Sequence, residues 1–359
     1  MRIQRKFATL AIAAGLAVGL AACSTPAPTP TAEEGTDAPS TPQLSGNLNI
    51  ACSQQEDFCQ AISAAFGAAT GVNTTYVRLG SGEVLARLAT GLGEFDVWSG
   101  GQAENHIIAD NRGYIESYVS PNAAALAPEY NDASGIWSGF YTDSVGFCSN
   151  KAELDKLGLK APTSWDDLLD PKLDGAVSMP HPATAGVGYM TMFAVAALND
   201  GDVNASVDYF KQLNGNILQY SKSAATGTEL AGRGEVAVSI ALDSDCVKAE
   251  KAGYSDLVTT YPEEGTGYEV GSVSVLRGAQ NVENAQAYFD WILTPEAQSL
   301  YKDVPSFAAP TLADAELGAD VPDQTEVNKV EWNLNKAAGA RDTLVARFEG
   351  EVASSANAQ

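Results

Sequence analysis

Apolar and polar positions alternate in two rhythms along this chain. Leu48 and Ile50 repeat at every second residue, which predicts a short strand over 47–51. Phe58, Ile62, Ala65, Phe66 and Ala69 then recur at helical spacing. The strand rhythm returns over 72–78, a helix follows around Val84, Leu85 and Leu88, and a strand at 95–98 leads to a helix at 103–111. This βαβαβα order predicts an α/β fold, with a parallel sheet covered by helices on both faces. A second region repeats the alternation. Its strands are expected at 144–148, 176–179, 217–220, 235–242, 258–261 and 270–276, and its helices at 187–199, 203–213, 226–233, 282–293 and 295–301. Ser164 reads as the N-cap of a further helix, with Asp166 and Asp167 in its first turn. A last helix is expected near 334–348, and 353–359 reads as a frayed tail.

The first 45 residues break both rhythms. Arg2, Arg5 and Lys6 precede an apolar stretch over 7–22, which predicts a signal peptide at 1–22. Leu20-Ala21-Ala22-Cys23 resembles the lipobox of bacterial lipoproteins. That resemblance implies that Cys23 becomes the mature N-terminus and carries a diacylglycerol, which anchors the exported chain to the outer face of the cell membrane. Residues 23–45 hold five prolines and no aromatic residue, so they read as a disordered tether. The folded body is expected to begin near Gly46.

Composition narrows the function. Of 359 residues, 45 are acidic and 21 basic, a net charge of −24 that excludes an electropositive nucleic-acid surface. Two histidines and five cysteines argue against a multi-zinc protein, and neither a metal nor a cofactor is expected. Cys52, Cys59, Cys148 and Cys246 form an even set in an exported chain, which suggests disulfides. Three pairings are open. The expected one ties Cys52 to Cys59, a strand end to the next helix, and Cys148 to Cys246, two strands of the middle region.

Two α/β regions suggest a cleft, and ligands in such folds sit where strands end and helices begin. The loops at those points are polar and rich in glycine. Ser53-Gln54, Ser81-Gly82, Gly100-Gly101, Thr184-Ala185-Gly186 and Ser223 stand at predicted helix starts. Unpaired N–H groups and the dipole end there suit a phosphate or carboxylate. Asp243, Asp245 and Glu264 stand beside strand ends, where carboxylates accept hydrogen bonds from hydroxyls or an ammonium. Trp98 has the best claim of the five tryptophans to the cleft, and His181 stands beside a cleft loop. No nucleophile elbow, P-loop or H-E-x-x-H helix is present, so no catalytic residue and no enzyme is expected.

Several segments carry a family resemblance. They are Ser164-Trp165-Asp166-Asp167-Leu168-Leu169-Asp170-Pro171, the 182–189 loop, Glu264-Gly265-Thr266-Gly267-Tyr268-Glu269-Val270-Gly271, Leu276-Arg277-Gly278-Ala279-Gln280-Asn281, and the run from Ala285 to Trp291 with Thr294-Pro295-Glu296-Ala297-Gln298. Together these resemble the type II periplasmic solute-binding proteins of ABC importers, in the branch of ferric-iron, hexose-phosphate and aminoethylphosphonate binders. The resemblance implies a two-lobed fold with a ligand cleft. Lobe 1 would comprise 46–141 and 272–352, and lobe 2 would comprise 142–271. It implies capture of a small solute and delivery to an ABC permease in the membrane, by a protein expected to be a monomer. The iron binders of the family use adjacent tyrosines, and no two tyrosines are adjacent here. Where the hexose-phosphate branch carries His-Asp, this chain has Ser244-Asp245. The expected ligand is therefore a small anionic solute, a phosphorylated sugar or phosphonate. Its anionic end would meet Ser81, Gly82, Thr184, Ala185, Gly186 and Ser223. Its other end would meet Asp245, Glu264, Ser53, Gln54, Gly100 and Gly101. A ferric-iron-binding protein of the same fold is the first alternative. A surface hydrolase or an interaction protein using the cleft is the second.

Overall fold

A computed structural model describes residues 44–353. The expected signal peptide, the Cys23 anchor, all of the 23–45 tether except its last two residues, and most of the 353–359 tail lie outside the described residues.

The chain begins with β1 (Asn47–Ser53), α1 (Glu56–Thr70), β2 (Asn73–Arg78), α2 (Ser81–Thr90), β3 (Val97–Gln102), α3 (Ala103–Asn111) and β4 (Ile115–Glu116). A long strand β5 (Ser138–Asn150) leads to α4 (Lys151–Leu157), β6 (Val177–Pro180), α5 (Gly186–Leu198) and α6 (Val203–Leu213). Next come β7 (Ile217–Ser221), α7 (Ala224–Gly232), β8 (Val238–Leu242), α8 (Asp243–Lys251), β9 (Leu257–Thr260) and β10 (Tyr268–Leu276). The chain closes with α9 (Val282–Ile292), α10 (Pro295–Gln298), β11 (Ala309–Pro310) and α11 (Leu334–Arg347).

Strand order along the main path is β2-β1-β3-β10-β5-β8-β6-β7. At the two ends of the path the strands run parallel, as β1 does with β2 and β3, and β6 with β7 and β8. The middle departs from the parallel sheet expected from the alternation. There β10 is antiparallel to β3 and β5, and β5 is antiparallel to β8 and β9. The reason is topological, since β5 and β10 carry the chain between the two regions in opposite directions. Their contact is close. A Cβ on Gly139 or Gly271 would run into Val270 or Tyr141, and the register shifts where Gly271 and Ser272 face Tyr141 and Gly139, leaving Phe140 of β5 as the extra residue.

Two large cores flank this crossing. Phe58, Phe66, Phe140, Tyr288 and Phe289 centre one, and Phe147, Tyr189, Met190, Phe193 and Phe210 centre the other. Helix α5 is buried almost all round, so it reads apolar on every face. The C-terminal helix packs differently from the expected grouping of 272–352 with the first lobe. Its Ala337 and Leu344, with Phe348 and Val352 beyond its end, join the second core. Asp342 on the same helix pairs with Arg112 at the end of α3.

Other local expectations also shift. Only 3₁₀ turns, Asp166–Leu169 and Pro171–Leu173, follow Ser164. The residues after β8 continue as α8, so Cys246 lies on a helix rather than a strand. Two disulfides join Cys52 to Cys59 and Cys148 to Cys246. In chain-entropy terms the second, which closes 98 residues, contributes about 4.7 kcal/mol and the first about 2.4 kcal/mol. Replacing Cys148 and Cys246 together by alanine should lower the unfolding free energy by roughly 2 kcal/mol more than replacing Cys52 and Cys59 together. Denaturant titration of the two double variants measures the difference.

Candidate functional site

A cavity of about 590 Å³ opens where β1, β2, β6, β7 and β8 end and the following helices begin. Its volume lies within the range of about 300–1,000 Å³ usual for small-molecule sites. Ser53, Gln54 and Gln55 line it from the β1–α1 turn, and Arg78, Gly80 and Ser81 from the β2–α2 turn. Ala185, Gly186 and Val187 face them from the start of α5, Lys222, Ser223 and Ala224 from the start of α7, and Ser244, Asp245 and Lys248 from α8. Asp143 of β5 and Glu269 of β10 complete the wall from the crossing strands.

Polarity is graded across this cavity. Asp143, Asp245 and Glu269 are buried, at 2%, 7% and 3% exposure. Arg78 and Lys222 stand exposed at the edge, and Lys248 is half-buried there, paired with Asp57. Arg78 donates through Nε to the carbonyl of Gln54 at 3.0 Å. Lys222 has no ion-pair partner among the described residues. Between acids and cations lie three helix starts. Ala185 has no side-chain acceptor to cap α5, Gly80 none to cap α2, and Ser223 caps only Thr226 of α7. First-turn N–H groups of these helices are therefore free to meet an anion.

The acids are held by a dense hydrogen-bond set. Gln55 Nε2 donates to Asp245 Oδ1 at 2.8 Å, and Gln102 Nε2 to Glu269 Oε2 at 2.5 Å. Asp143 accepts from the Ser244 hydroxyl. Burial, opposed by Arg78, Gln55 and Lys248, pushes Asp245 up to about 6. Burial also pushes Glu269 up to about 7, against the pull of Tyr141 and Gln102. Asp143 is raised well above the carboxylate range by burial and then by the Asp243 carboxylate.

Seven of the expected residues meet at this cavity: Ser53, Gln54, Ser81, Ala185, Gly186, Ser223 and Asp245. The other five stand outside its lining. Gly82 and Thr184 serve close approach instead. The Thr184 carbonyl lies 2.5 Å from where a Cβ on Gly80 would sit, and the Ala183 carbonyl presses on Gly82. Gly100 and Gly101 have φ of 88° and 82° and back onto the 53–54 turn and Ser81. Glu264 is a correction, because its Oε1 accepts from the Trp165 N–H at 2.7 Å, away from the cavity. Asp243 is buried behind the wall, accepting from Tyr261 at 2.7 Å and Gln324 at 2.8 Å. Trp98 is fully buried, donating to Ser53 Oγ at 2.9 Å and stacking on His106. His181 packs against Tyr220 and Phe348, and Tyr220 gives its hydroxyl to Asn214. Among the described residues, no three His, Cys, Asp or Glu side chains converge to hold a metal ion.

Gln55, Gln102 and Lys222 stand in loops expected at the cleft but were not among the expected ligand residues, and Arg78, Asp143, Lys248 and Glu269 were not foreseen at the site. Arg78 and Lys222 each immediately precede a polar loop at a helix start, a usable signal. Asp143 and Glu269 lie within strands, where nothing local distinguishes them.

Comparison with known proteins follows the same lines. A family model described as "Bacterial extracellular solute-binding protein" matches residues 106–337. The chain belongs to that family. An uncharacterized protein of Haemophilus influenzae is 32% identical over 318 residues, covering 86% of this chain and 91% of that one. A periplasmic protein of Salmonella typhi, provisionally named for 2-aminoethylphosphonate binding, is 27% identical over 261 residues, covering 70% and 73%. Among solved structures, the periplasmic binding protein AfuA from Actinobacillus pleuropneumoniae, with exogenous fructose-6-phosphate bound, superposes with a TM-score of 0.82. It is 32% identical, covering 86% of this chain and 99% of that one. The ferric binding protein from Campylobacter jejuni shares the fold, at a TM-score of 0.72 and 18% identity over 84% and 98%. This chain is thus a solute-binding protein with the two-lobed fold of type II periplasmic binding proteins.

The site makes two physical predictions. A Cβ on Gly186 would collide with the Gln102 amide, which accepts from Asn105 and donates to Glu269. Gly186→Ala should therefore strip a partner from a buried acid and cost about 1–3 kcal/mol in chemical denaturation. Asp143, Asp245 and Glu269 all have proton affinities raised by folding. Their stabilising contribution is complete below the unfolded carboxylate range and is lost as pH rises through about 6 and 7. The solute-free midpoint of thermal unfolding should fall between pH 5 and pH 8, and a midpoint that rises over that window contradicts the assignment.

Proposed function

We propose that this protein captures a small solute with an anionic end, a phosphorylated sugar or a phosphonate, and hands it to an ABC permease. One observation carries this: the cavity has buried carboxylates at its floor, cations at its edge and weakly capped helix starts between them. A phosphate-like group is satisfied by the first turns of α2, α5 and α7 with Arg78 and Lys222 beside them. Hydroxyls or an ammonium on the rest of the solute are satisfied by Asp245 and Glu269, which accept hydrogen bonds. The fructose-6-phosphate of AfuA and the aminoethylphosphonate in the name of the Salmonella relative have this bipolar chemistry.

On this proposal the two halves, about 46–141 with 272–333 and 142–271, close on the solute, and the closed form is what a permease recognises. Export and a lipid anchor at Cys23 belong to the same proposal, since a tethered receptor keeps the captured solute beside the membrane. Contacts across the mouth favour it. Gln55 reaches Asp245, Asp57 reaches Lys248, and the start of α2 abuts the 183–184 carbonyls.

Thermal unfolding against hexose 6-phosphates, 2-aminoethylphosphonate, inorganic phosphate, and ferric ion with and without citrate tests the assignment. A ligand at 100 times its dissociation constant adds about 2.7 kcal/mol of stability. A shift with a phosphorylated sugar or phosphonate is expected, and a shift with ferric ion alone would overturn it. Asp245→Ala and Lys222→Ala should each weaken binding of the active solute by about 1 kcal/mol or more in calorimetric titration. Unchanged affinity in both variants removes these residues from the site.

A further inference from the structure

Glu104 is a buried acid without a partner. It lies in the first turn of α3, 1% exposed, and neither carboxylate oxygen has a hydrogen-bond partner. Its own N–H and the Trp332 indole come near without bonding to it. Arg341 on α11 is also buried, at 7% exposure, and its Nε has no partner. The guanidinium lies over the Tyr189 ring of α5, 5.8 Å from its centre, and forms no ion pair with Glu104. A buried carboxylate left unpaired is strongly unfavourable unless it is neutral.

Its position ties this anomaly to the cavity. Asn105, the next residue, donates to Gln102 Oε1 at 2.9 Å, and Gln102 and Glu269 line the cavity. Arg341 reaches the start of α2, where its Nη2 lies 3.0 Å from the place of a Cβ on Gly82. Glu104 therefore stands one layer behind the cavity, where α3 of the first half meets α5 and α11 of the second core.

We propose that Glu104 sets how tightly the cavity holds its solute: closing over the solute shuts this carboxylate away from water, and it takes up one proton as it is enclosed. This presupposes that the cavity opens and closes on a solute as proposed above. Water reaches the carboxylate in the open form, where it is an ordinary glutamate. Enclosed, it is pushed up to about 8, by burial first and by Glu269 of β10, while Arg341 and Trp332 pull the other way. Tyr189 of α5 and Tyr268 of β10 also face it. The sign follows. The enclosed form binds more protons than the open one, so low pH favours it, and affinity weakens as pH rises toward 8 and then levels.

Glu104→Gln keeps the shape and removes the ionisation. Calorimetric titration with glucose 6-phosphate at pH 7, in buffers of different ionisation enthalpy, counts protons. Wild type should take up close to one more proton than the variant. Contributions from the phosphate and from Asp143, Asp245 and Glu269 are shared by both proteins and cancel. The affinity advantage of E104Q over wild type should grow roughly tenfold or more from pH 6 to pH 8. Equal proton uptake overturns the proposal. A second arm needs no solute. Because Glu104 is open to water in the solute-free protein, the thermal midpoints of E104Q and wild type should differ by a constant amount from pH 5 to pH 8, and a difference that grows over that window overturns the proposal even where glucose 6-phosphate gives no heat. Absence of heat with every solute in the panel speaks against the solute assignment instead, and the unfolding profile then decides for Glu104 alone.

Discussion

The antiparallel pairing of β5 with β10 is the constraint on which the site depends. These two strands bring Asp143 and Glu269, 126 residues apart in sequence, to adjacent places on one wall. Glycines at 139 and 271 allow the strands to approach, because a methyl group at either would overlap a neighbour's side chain. Carboxylates tolerate this buried place because Gln102, Ser244 and their neighbours donate to them. Asp243, just behind, is held in turn by Tyr261 and by Gln324 from the long coil before α11.

Around this wall the chain arranges charge locally rather than globally. A net charge of −24 would repel an anion at long range, but exposed charges are screened beyond about 8–10 Å at physiological salt. The cavity is lined by three helix starts, with Arg78, Lys222 and Lys248 at its edge. Asp143, Asp245 and Glu269 lie deep, while those three cations share the edge with the exposed Glu56 and Glu229. On the proposed function, this arrangement suits a bipolar solute better than a simple anion.

Covalent and helical ties hold the loops that make the gradient. The Cys52–Cys59 bond brackets the Ser53-Gln54-Gln55 turn, and the Cys148–Cys246 bond anchors the first turn of α8, which carries Ser244 and Asp245. These two loops also touch one another through Gln55 and Asp245. Helix α11 adds a third tie. It sends apolar side chains into the second core while Asp342 pairs with Arg112 at the end of α3. Preorganisation of this kind reduces what binding must spend on ordering loops.

By itself the sequence determined most elements and their order, because burial on one face imposes a period of 2 or 3.6 that local composition records. Helices α3 and α6 lie at their expected limits, the polar helix starts pointed to six of the cavity residues, and the carboxylates beside strand ends to a seventh, Asp245. The cysteine set was legible as disulfides, and the family could be read from runs such as 264–271. Only the tertiary structure decided the antiparallel crossing, since strand direction depends on partners distant in the chain. It turned Glu264 to the Trp165 N–H, sealed Trp98 inside, and gave Gly82 and Thr184 to close contact between segments. It also brought Asp143 and Glu269 to the cavity wall and Glu104 just behind it. A single acid in an apolar strand or a helix turn carries no mark of what lies across from it, and burial by distant segments is what gives each of these its chemistry.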